Sequence, residues 1–328
     1  MESSSQGPTP RGLYVPLITP FTDDGELAPD ALEKLAHDVI DAGAVGLVAL
    51  GTTGEHATLT VAERHVVLDV AARACRERGA ALIAGAGSND TAATARELRD
   101  LAAWREVTAA LTVVPYYTRP SEEGVVAHFS SLAADSPVPL IVYNIPYRTG
   151  RVLSVGTLLR LASVPGIIGV KHAVGAVDHD TVMMMAARPA GFAVLAGDDV
   201  FASPLLALGA AGGILASAHL RTAEFADMIG AWHSGQLEQA RELGNRLAPL
   251  SAALFAEPNP VVIKGALHAL GQIPSPAVRL PLLAARQDTV SAAVSLCSEL
   301  TVLAPCADTA ARPAGRPPGP RTAGGRPG

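Results

Sequence analysis

Eight short apolar runs recur along the chain with longer amphipathic segments between them, and this alternation constrains the fold more than any other feature. The runs are LYVPLI, VGLVAL, AALIAG, ALTVV, PLIVY, GIIGVK, FAVLAG and GGILAS. Nearly every position in them is apolar, so each reads as a strand covered on both faces. Strands buried in that way pair in parallel, because the helices that cross between parallel strands also cover the sheet. About eight strand–helix units in succession predict an α/β fold, a closed (β/α)8 TIM barrel.

The connecting segments carry helix punctuation. In TVAERHVVLDVAARACRERG, Thr60 stands as the N-cap, Glu63 completes a capping box three residues later, and Gly79 ends the helix. After residue 230 the strands stop. SGQLEQARELGNRLAPLSAALF and PNPVVIKGALHALG read as helices only, which predicts a C-terminal helical extension packed on the barrel or on a partner subunit. The expected organisation is a disordered lead over 1–11, the barrel over 12–232, the helical extension over 233–304, and a solvated tail over 305–328. In that tail Pro, Gly and Arg leave almost nothing to bury.

Composition excludes several classes of function. With 49% hydrophobic and 17% charged residues among 328, most of the chain can bury a core. A net charge of -6 offers no general attraction for nucleic acid or an anionic membrane, and no apolar run approaches the ~20 residues that span a bilayer. The amino terminus lacks the basic start and apolar centre of a secretory signal. Cys75, Cys297 and Cys306 are scattered, with no CxxC pair and no histidines at metal-ligand spacing, as expected of reduced thiols in the cytoplasm.

In a barrel of this kind the chemistry sits on the loops at the carboxyl ends of the strands. There GTTGEHATL follows VGLVAL, PYYTRPSEEG follows ALTVV, NIPYRTG follows PLIVY, and Lys171 closes GIIGV. A lysine ending a buried strand is desolvated, which favours the neutral amine that forms a Schiff base with a carbonyl. Its ordinary alternative is a stem lying in the wall with the charge reaching a carboxylate. Tyr143 would place a phenol beside it as a proton carrier, although strand-end tyrosines also serve as core rings with a wet hydroxyl. The GTTG turn offers hydroxyls and N–H groups suited to a small carboxylate. Arg148 brings a planar charge that fits a second carboxylate or a surface salt bridge. Together these residues describe an aldol-type reaction of a 2-oxo acid with an anionic aldehyde.

The sequence resembles the dihydrodipicolinate synthase family, the class I aldolase and lyase group that also includes N-acetylneuraminate lyase. The likeness runs from about Gly12 to Leu283 and rests on six motifs in order: GTTGE at 51–55, PYYTRPSEEG at 115–124, YNIPYRTG at 143–150, GVK at 169–171, AGDD at 196–199 and EPNPVVIK at 257–264. The resemblance implies a carbon–oxygen lyase that condenses pyruvate with aspartate 4-semialdehyde to give 4-hydroxy-tetrahydrodipicolinate, a precursor of lysine and diaminopimelate. It implies that Lys171 forms an imine with pyruvate, that Tyr143 moves the protons, and that Tyr117 enters a neighbouring subunit's site to join a relay with Tyr143 and Thr52. Thr53 would hold the pyruvate carboxylate, Ile214 would line the same pocket, and Arg148 would receive the carboxylate of the semialdehyde. No metal or organic cofactor is implied, and the expected assembly is a homo-oligomer, a dimer of dimers. Two other readings stand beside it: a related pyruvate-dependent aldolase or lyase acting on another aldehyde or 2-oxo acid, and a non-catalytic barrel that binds a 2-oxo acid.

Several positions depart from the family pattern. His172 stands where an acidic residue commonly follows the lysine, His56 replaces a small residue after GTTGE, and Leu215 stands where serine is familiar. An ordinary hydrogen-bonded histidine is the simplest reading of His172. Asp178, His179 and Asp180 read as a helix N-terminus rather than a metal site. Members that respond to lysine use histidine and glutamate around a neighbouring cleft; here Val61, Arg64 and Ala93 take those positions, so weak or absent inhibition by lysine is expected.

Overall fold

The computed structural model describes residues 9–302. The Pro/Gly/Arg tail, Cys306 and most of the expected lead lie outside the described residues. Of the lead, Thr9 donates to the Gly191 carbonyl at 3.2 Å and Pro10 is buried.

All eight apolar runs are strands: β1 (Gly12–Pro16), β2 (Gly46–Ala49), β3 (Ala81–Gly85), β4 (Val107–Val113), β5 (Leu140–Asn144), β6 (Ile167–His172), β7 (Ala193–Ala196) and β8 (Gly212–Ile214). Each pairs in parallel with its sequence neighbours, and β8 pairs with β1 through Gly12↔Gly212 and Tyr14↔Ile214 to close the barrel. The expected (β/α)8 TIM barrel is what forms. Strand β8 is shorter than its apolar run because Ala216–His219 turn into a 3-10 helix. The Ile18 N–H donates to Nε2 of His219 at 3.1 Å, and the other ring nitrogen, Nδ1, donates to the Ala216 carbonyl at 2.8 Å, which ties this turn to the end of β1.

Alternation along the strands builds two cores. Tyr14, Val48, Ile83, Ile141, Tyr143, Leu195 and Ile214 fill the barrel interior. Leu13, Val15, Leu47, Leu82, Val142 and Val170 point outward and pack beneath the helices. Burial of each such aliphatic side chain contributes roughly 1.5–3 kcal/mol. The helix Val61–Arg78 starts with the capping box read from the sequence: the Glu63 N–H donates to Thr60 Oγ1 at 3.2 Å and the Thr60 N–H donates to Glu63 Oε2 at 2.7 Å. Gly79 ends it in the left-handed region at φ +65°.

Beyond the barrel the chain is helical without strands, as expected: Leu237–Leu254, Val261–Ala269 and Gln287–Val302. The boundary expected between 232 and 233 falls in the last turn of the helix Thr222–Ser234. The extension packs on its own barrel. Lys264 is fully buried and meets Glu55 of the GTTGE loop at 2.7 Å, and Arg279 binds Glu63 at the start of the helix Val61–Arg78.

Candidate active site

The carboxyl ends of β5, β6, β7 and β8 bring the chemistry together. Register places Tyr143 beside Lys171 and Lys171 beside Leu195. Lys171 is only 6% exposed. Its stem lies across Gly197, where an added Cβ would come within 2.8 Å of Lys171 Cγ and 3.0 Å of Cε. Glycine at 197 therefore leaves the space through which the lysine reaches the interior. The ammonium nitrogen stands 4.4 Å from the Tyr143 ring centroid, and burial pulls its pKa down to about 8 against the opposing charges of Asp199 and Asp198. A neutral amine is thus accessible near neutral pH.

Tyr143 is also buried, which pushes its phenol above the ordinary range. The Arg148 charge and a hydrogen bond with Thr52 pull the other way. Thr52–Gly54 form a single 3-10 turn directly after β2, and Asn259 Nδ2 donates to Thr53 Oγ1 at 2.9 Å from the helical extension. Lys171, Tyr143, Thr52, Thr53, Arg148 and Ile214 all line one polar chamber, together with Asp199 and Asn259. Thr52, Tyr143 and Arg148 also form a wall of a wider cavity of about 320 Å³ that reaches His56, Gly85 and Tyr116.

Six of the seven site residues expected from the sequence therefore meet at one place. The seventh, Tyr117, does not reach the site of its own chain: its side chain is 86% exposed, and Tyr116 lines the cavity instead. The four non-glycine residues with positive φ among the described residues, Leu50 (57°), Glu55 (52°), Tyr117 (69°) and Arg119 (46°), all lie on the loops after β2 and β4. Backbone strain is concentrated at this rim. Gly85 accommodates part of it, because a Cβ there would lie 2.2 Å from the Leu50 carbonyl oxygen.

Asp199 and Asn259 were given no role by the sequence, although both sit in motifs that mark the family resemblance, AGDD and EPNP. Asp199 is 6% exposed, and burial raises its carboxyl to about 6. His172, the unexpected neighbour of Lys171, faces the outer helices. The Thr181 hydroxyl donates to Asp178 Oδ1 at 2.7 Å, so the ring Nε2–H of His172 donates to Thr181 Oγ1 at 3.0 Å. Burial lowers its pKa to about 4 and keeps it neutral. It is the hydrogen-bonded histidine expected. Asp178 caps the helix His179–Ala187 by accepting the Thr181 N–H at 2.8 Å, as read.

Val61, Arg64 and Ala93 line a second cavity of about 310 Å³ that shares His56 and Gly85 with the first. Of its two carboxylates, Glu97 and Asp100, Glu97 accepts the Gly87 N–H at 3.0 Å and a contact from Arg64 at 3.4 Å. Away from both cavities, Glu33, His37 and Glu77 bring three metal-ligand atoms within 4.8 Å of one another, but Arg73 already grips Glu33 at 2.7 and 2.8 Å.

Comparison with known proteins decides the family. The model of the dihydrodipicolinate synthetase family matches residues 9–299. This chain belongs to that family. Within it, the 4-hydroxy-tetrahydrodipicolinate synthase of Moorella thermoacetica is 42% identical over 276 residues, covering 84% of this chain and 93% of that protein. The enzyme of the same name from Neisseria meningitidis serogroup B is 41% identical over 273 residues, covering 83% and 92%. The crystal structure of the chloride-inhibited dihydrodipicolinate synthase from Acinetobacter baumannii complexed with pyruvate superposes with a TM-score of 0.84 at 35% identity, covering 88% of this chain and 99% of that one. The synthase family thus accounts for both the barrel and its C-terminal helices.

Proposed function

We propose that this member of the family is a 4-hydroxy-tetrahydrodipicolinate synthase that condenses pyruvate with aspartate 4-semialdehyde through an imine on Lys171. The observation that carries this reading is the convergence of a desolvated lysine, a phenol and two threonines on one chamber, with Arg148 between it and the wider cavity.

The neutral amine attacks C2 of pyruvate, whose carboxylate lies against Thr53, and loss of water leaves an iminium. The iminium draws electrons from the methyl carbon, so a methyl proton is lost and an enamine forms. Once the iminium has formed, Tyr143 carries protons, passing them through Thr52 and a Tyr117 contributed by a second copy of the chain. The enamine carbon attacks the aldehyde, which Arg148 holds by its carboxylate in the wider cavity. Attack by the aldehyde's own amine closes the ring and frees Lys171.

A coupled assay with pyruvate and aspartate 4-semialdehyde tests the reading, run beside a panel of other aldehydes. Turnover that prefers aspartate semialdehyde supports it. Preference for another aldehyde would make the chain a related aldolase. Absence of any borohydride-trapped pyruvate on Lys171 would leave only a binding barrel. Because Glu97 is already engaged and Val61 and Ala93 offer no polar group, millimolar lysine is expected to leave the initial rate nearly unchanged; strong inhibition in a steady-state titration would contradict this.

A further inference from the structure

The chamber that holds Lys171 is lined by one carboxylate, Asp199, which the condensation as described above does not use. Asp199 opens the 3-10 turn Asp199–Phe201 just beyond β7, two residues after the glycine over which the lysine stem runs. Its Oδ2 accepts the Ser217 N–H at 2.6 Å, which fixes the carboxylate. The nearby Ser217 hydroxyl also favours the charged carboxylate. The other oxygen, Oδ1, is buried and meets no hydrogen-bond partner among the described residues. A buried carboxylate oxygen left without a donor is costly, so the arrangement calls for one. The neighbouring Asp198 does not supply this function: it lies outside the chamber, taking the Gly175 N–H at 2.6 Å and the Tyr147 hydroxyl at 3.4 Å.

We propose that Asp199 is the base that removes a proton from the Lys171 ammonium before imine formation and returns it to the hydroxyl that departs as water. This rests on the reading of Lys171 as the imine-forming residue. The steps balance. Lys171 gives one proton to the Asp199 carboxylate and becomes an amine. The amine adds to C2 of the 2-oxo acid, and a proton moving from nitrogen to oxygen gives a neutral carbinolamine. The Asp199 carboxyl then protonates the hydroxyl, the C–O bond breaks, water leaves, and the nitrogen lone pair forms the iminium. Asp199 ends as the carboxylate it began as.

Tyr143 is poorly suited to the first of these transfers, because burial keeps its phenol protonated and a protonated phenol accepts nothing from an ammonium. The carboxyl near 6 and the ammonium near 8 are brought much closer together than the free groups, so a proton passes between them at modest cost. The charged and titratable groups around the pair are Asp198, Tyr143, Tyr147 and Arg148. On the opposite side the helix Leu237–Leu254 packs against the Asp199–Phe201 turn, and the residues it buries, among them Gly244, Leu247, Leu250 and Ser251, carry no charge.

The test is the pH dependence of imine formation in the full-length protein, followed by borohydride trapping of pyruvate and mass measurement of the Lys171 peptide. With Asp199 as base, the wild-type rate follows a bell with limbs near pH 6 and pH 8, the carboxylate being needed at the start and its proton at the end. A rate that only rises through pH 8 would overturn the proposal. Asp199→Asn keeps an acceptor for the Ser217 N–H and should retain the wild-type melting temperature. Its plateau rate should fall at least tenfold, the bell should become a single rising limb, and that limb should lie below the wild-type lysine's because a negative charge is lost. Added formate should restore imine formation severalfold in Asp199→Ala, whereas a carboxylate that only held the turn would give no such rescue. Failure of the wild type to trap pyruvate on Lys171 at all would instead overturn the reading on which the proposal rests.

Discussion

Gly197 and Lys171 show how much of this site depends on a single missing carbon. The lysine stem occupies the volume that a Cβ at 197 would need, and close contacts with Cγ and Cε leave it no room to stay in place. Gly197→Ala should therefore fold, at a strain cost of about 1–3 kcal/mol, while pushing the amine off its path. A displacement of about 1 Å is enough to cost on the order of a hundredfold in rate, so trapping of pyruvate on Lys171 should fall by more than about tenfold. Unchanged trapping in a stopped borohydride assay would show that the stem has another route. At this scale the sequence was informative where a polar residue ended an apolar strand: Lys171 and Tyr143 stand out for that reason. Asp199 and Asn259 do not stand out, because they follow strands and helices at loop positions where polar residues are ordinary. Only tertiary packing makes Asp199 a buried acid, and the cue available was its place in AGDD.

Among elements, the loop after β2 is held from outside the barrel. Glu55, at φ +52°, accepts from Lys264 at 2.7 Å and from the Arg279 N–H at 2.9 Å, and both lysine and glutamate side chains are essentially inaccessible. Lys264 and Arg279 also stack on the Phe21 ring at 4.1 and 4.4 Å. Removing one partner of such a pair leaves a buried charge, so Lys264→Met should destabilise by about 3–5 kcal/mol. Because Thr52 and Thr53 precede Glu55 on the same turn, the half-saturating pyruvate concentration should rise as well. Guanidinium denaturation and a pyruvate titration measure the two effects. The double variant Glu55→Gln, Lys264→Met should regain much of the stability, and a normal pyruvate response in Lys264→Met would show that the turn holds itself. The helices of the extension were legible from their pattern and from the end of the strands. Their contribution to the site was not, since a pair separated by 209 residues leaves no periodic trace.

For the molecule as a whole, the eight-fold alternation of apolar runs sufficed to read the barrel: burial on both faces marks a parallel sheet, and eight consecutive strand–helix units are the number that closes one. Its acid sensitivity follows from side chains that pattern does not reveal. His128, His172 and His219 are buried, and desolvation lowers each to about 4, below the value of an unfolded chain. The unfolded state then binds more protons between about pH 6.5 and pH 4, so the stability these histidines contribute is lost as pH falls through that window. Asp199, raised to about 6, works in the opposite direction over part of the same range. With both included, stability at pH 5 should be on the order of 4 kcal/mol below that at pH 7, which urea unfolding at the two pH values would measure. Equal stabilities would mean that the three rings are not held neutral. Tyr117 belongs to this scale too, as a phenol on the outside of the fold. If a second copy receives it, Tyr117→Phe should lower turnover more than about tenfold while leaving pyruvate trapping on Lys171 intact, because the relay carries protons after the imine exists. Wild-type turnover in that variant would remove Tyr117 from the reaction.

If a second copy receives Tyr117, a defect in one chain is repairable by another. A chain without Lys171 would still offer its Tyr117, and a chain without Tyr117 would still keep its lysine, so a mixed pair of two inactive chains would contain one intact centre. Two alleles that each fail alone would then support growth together.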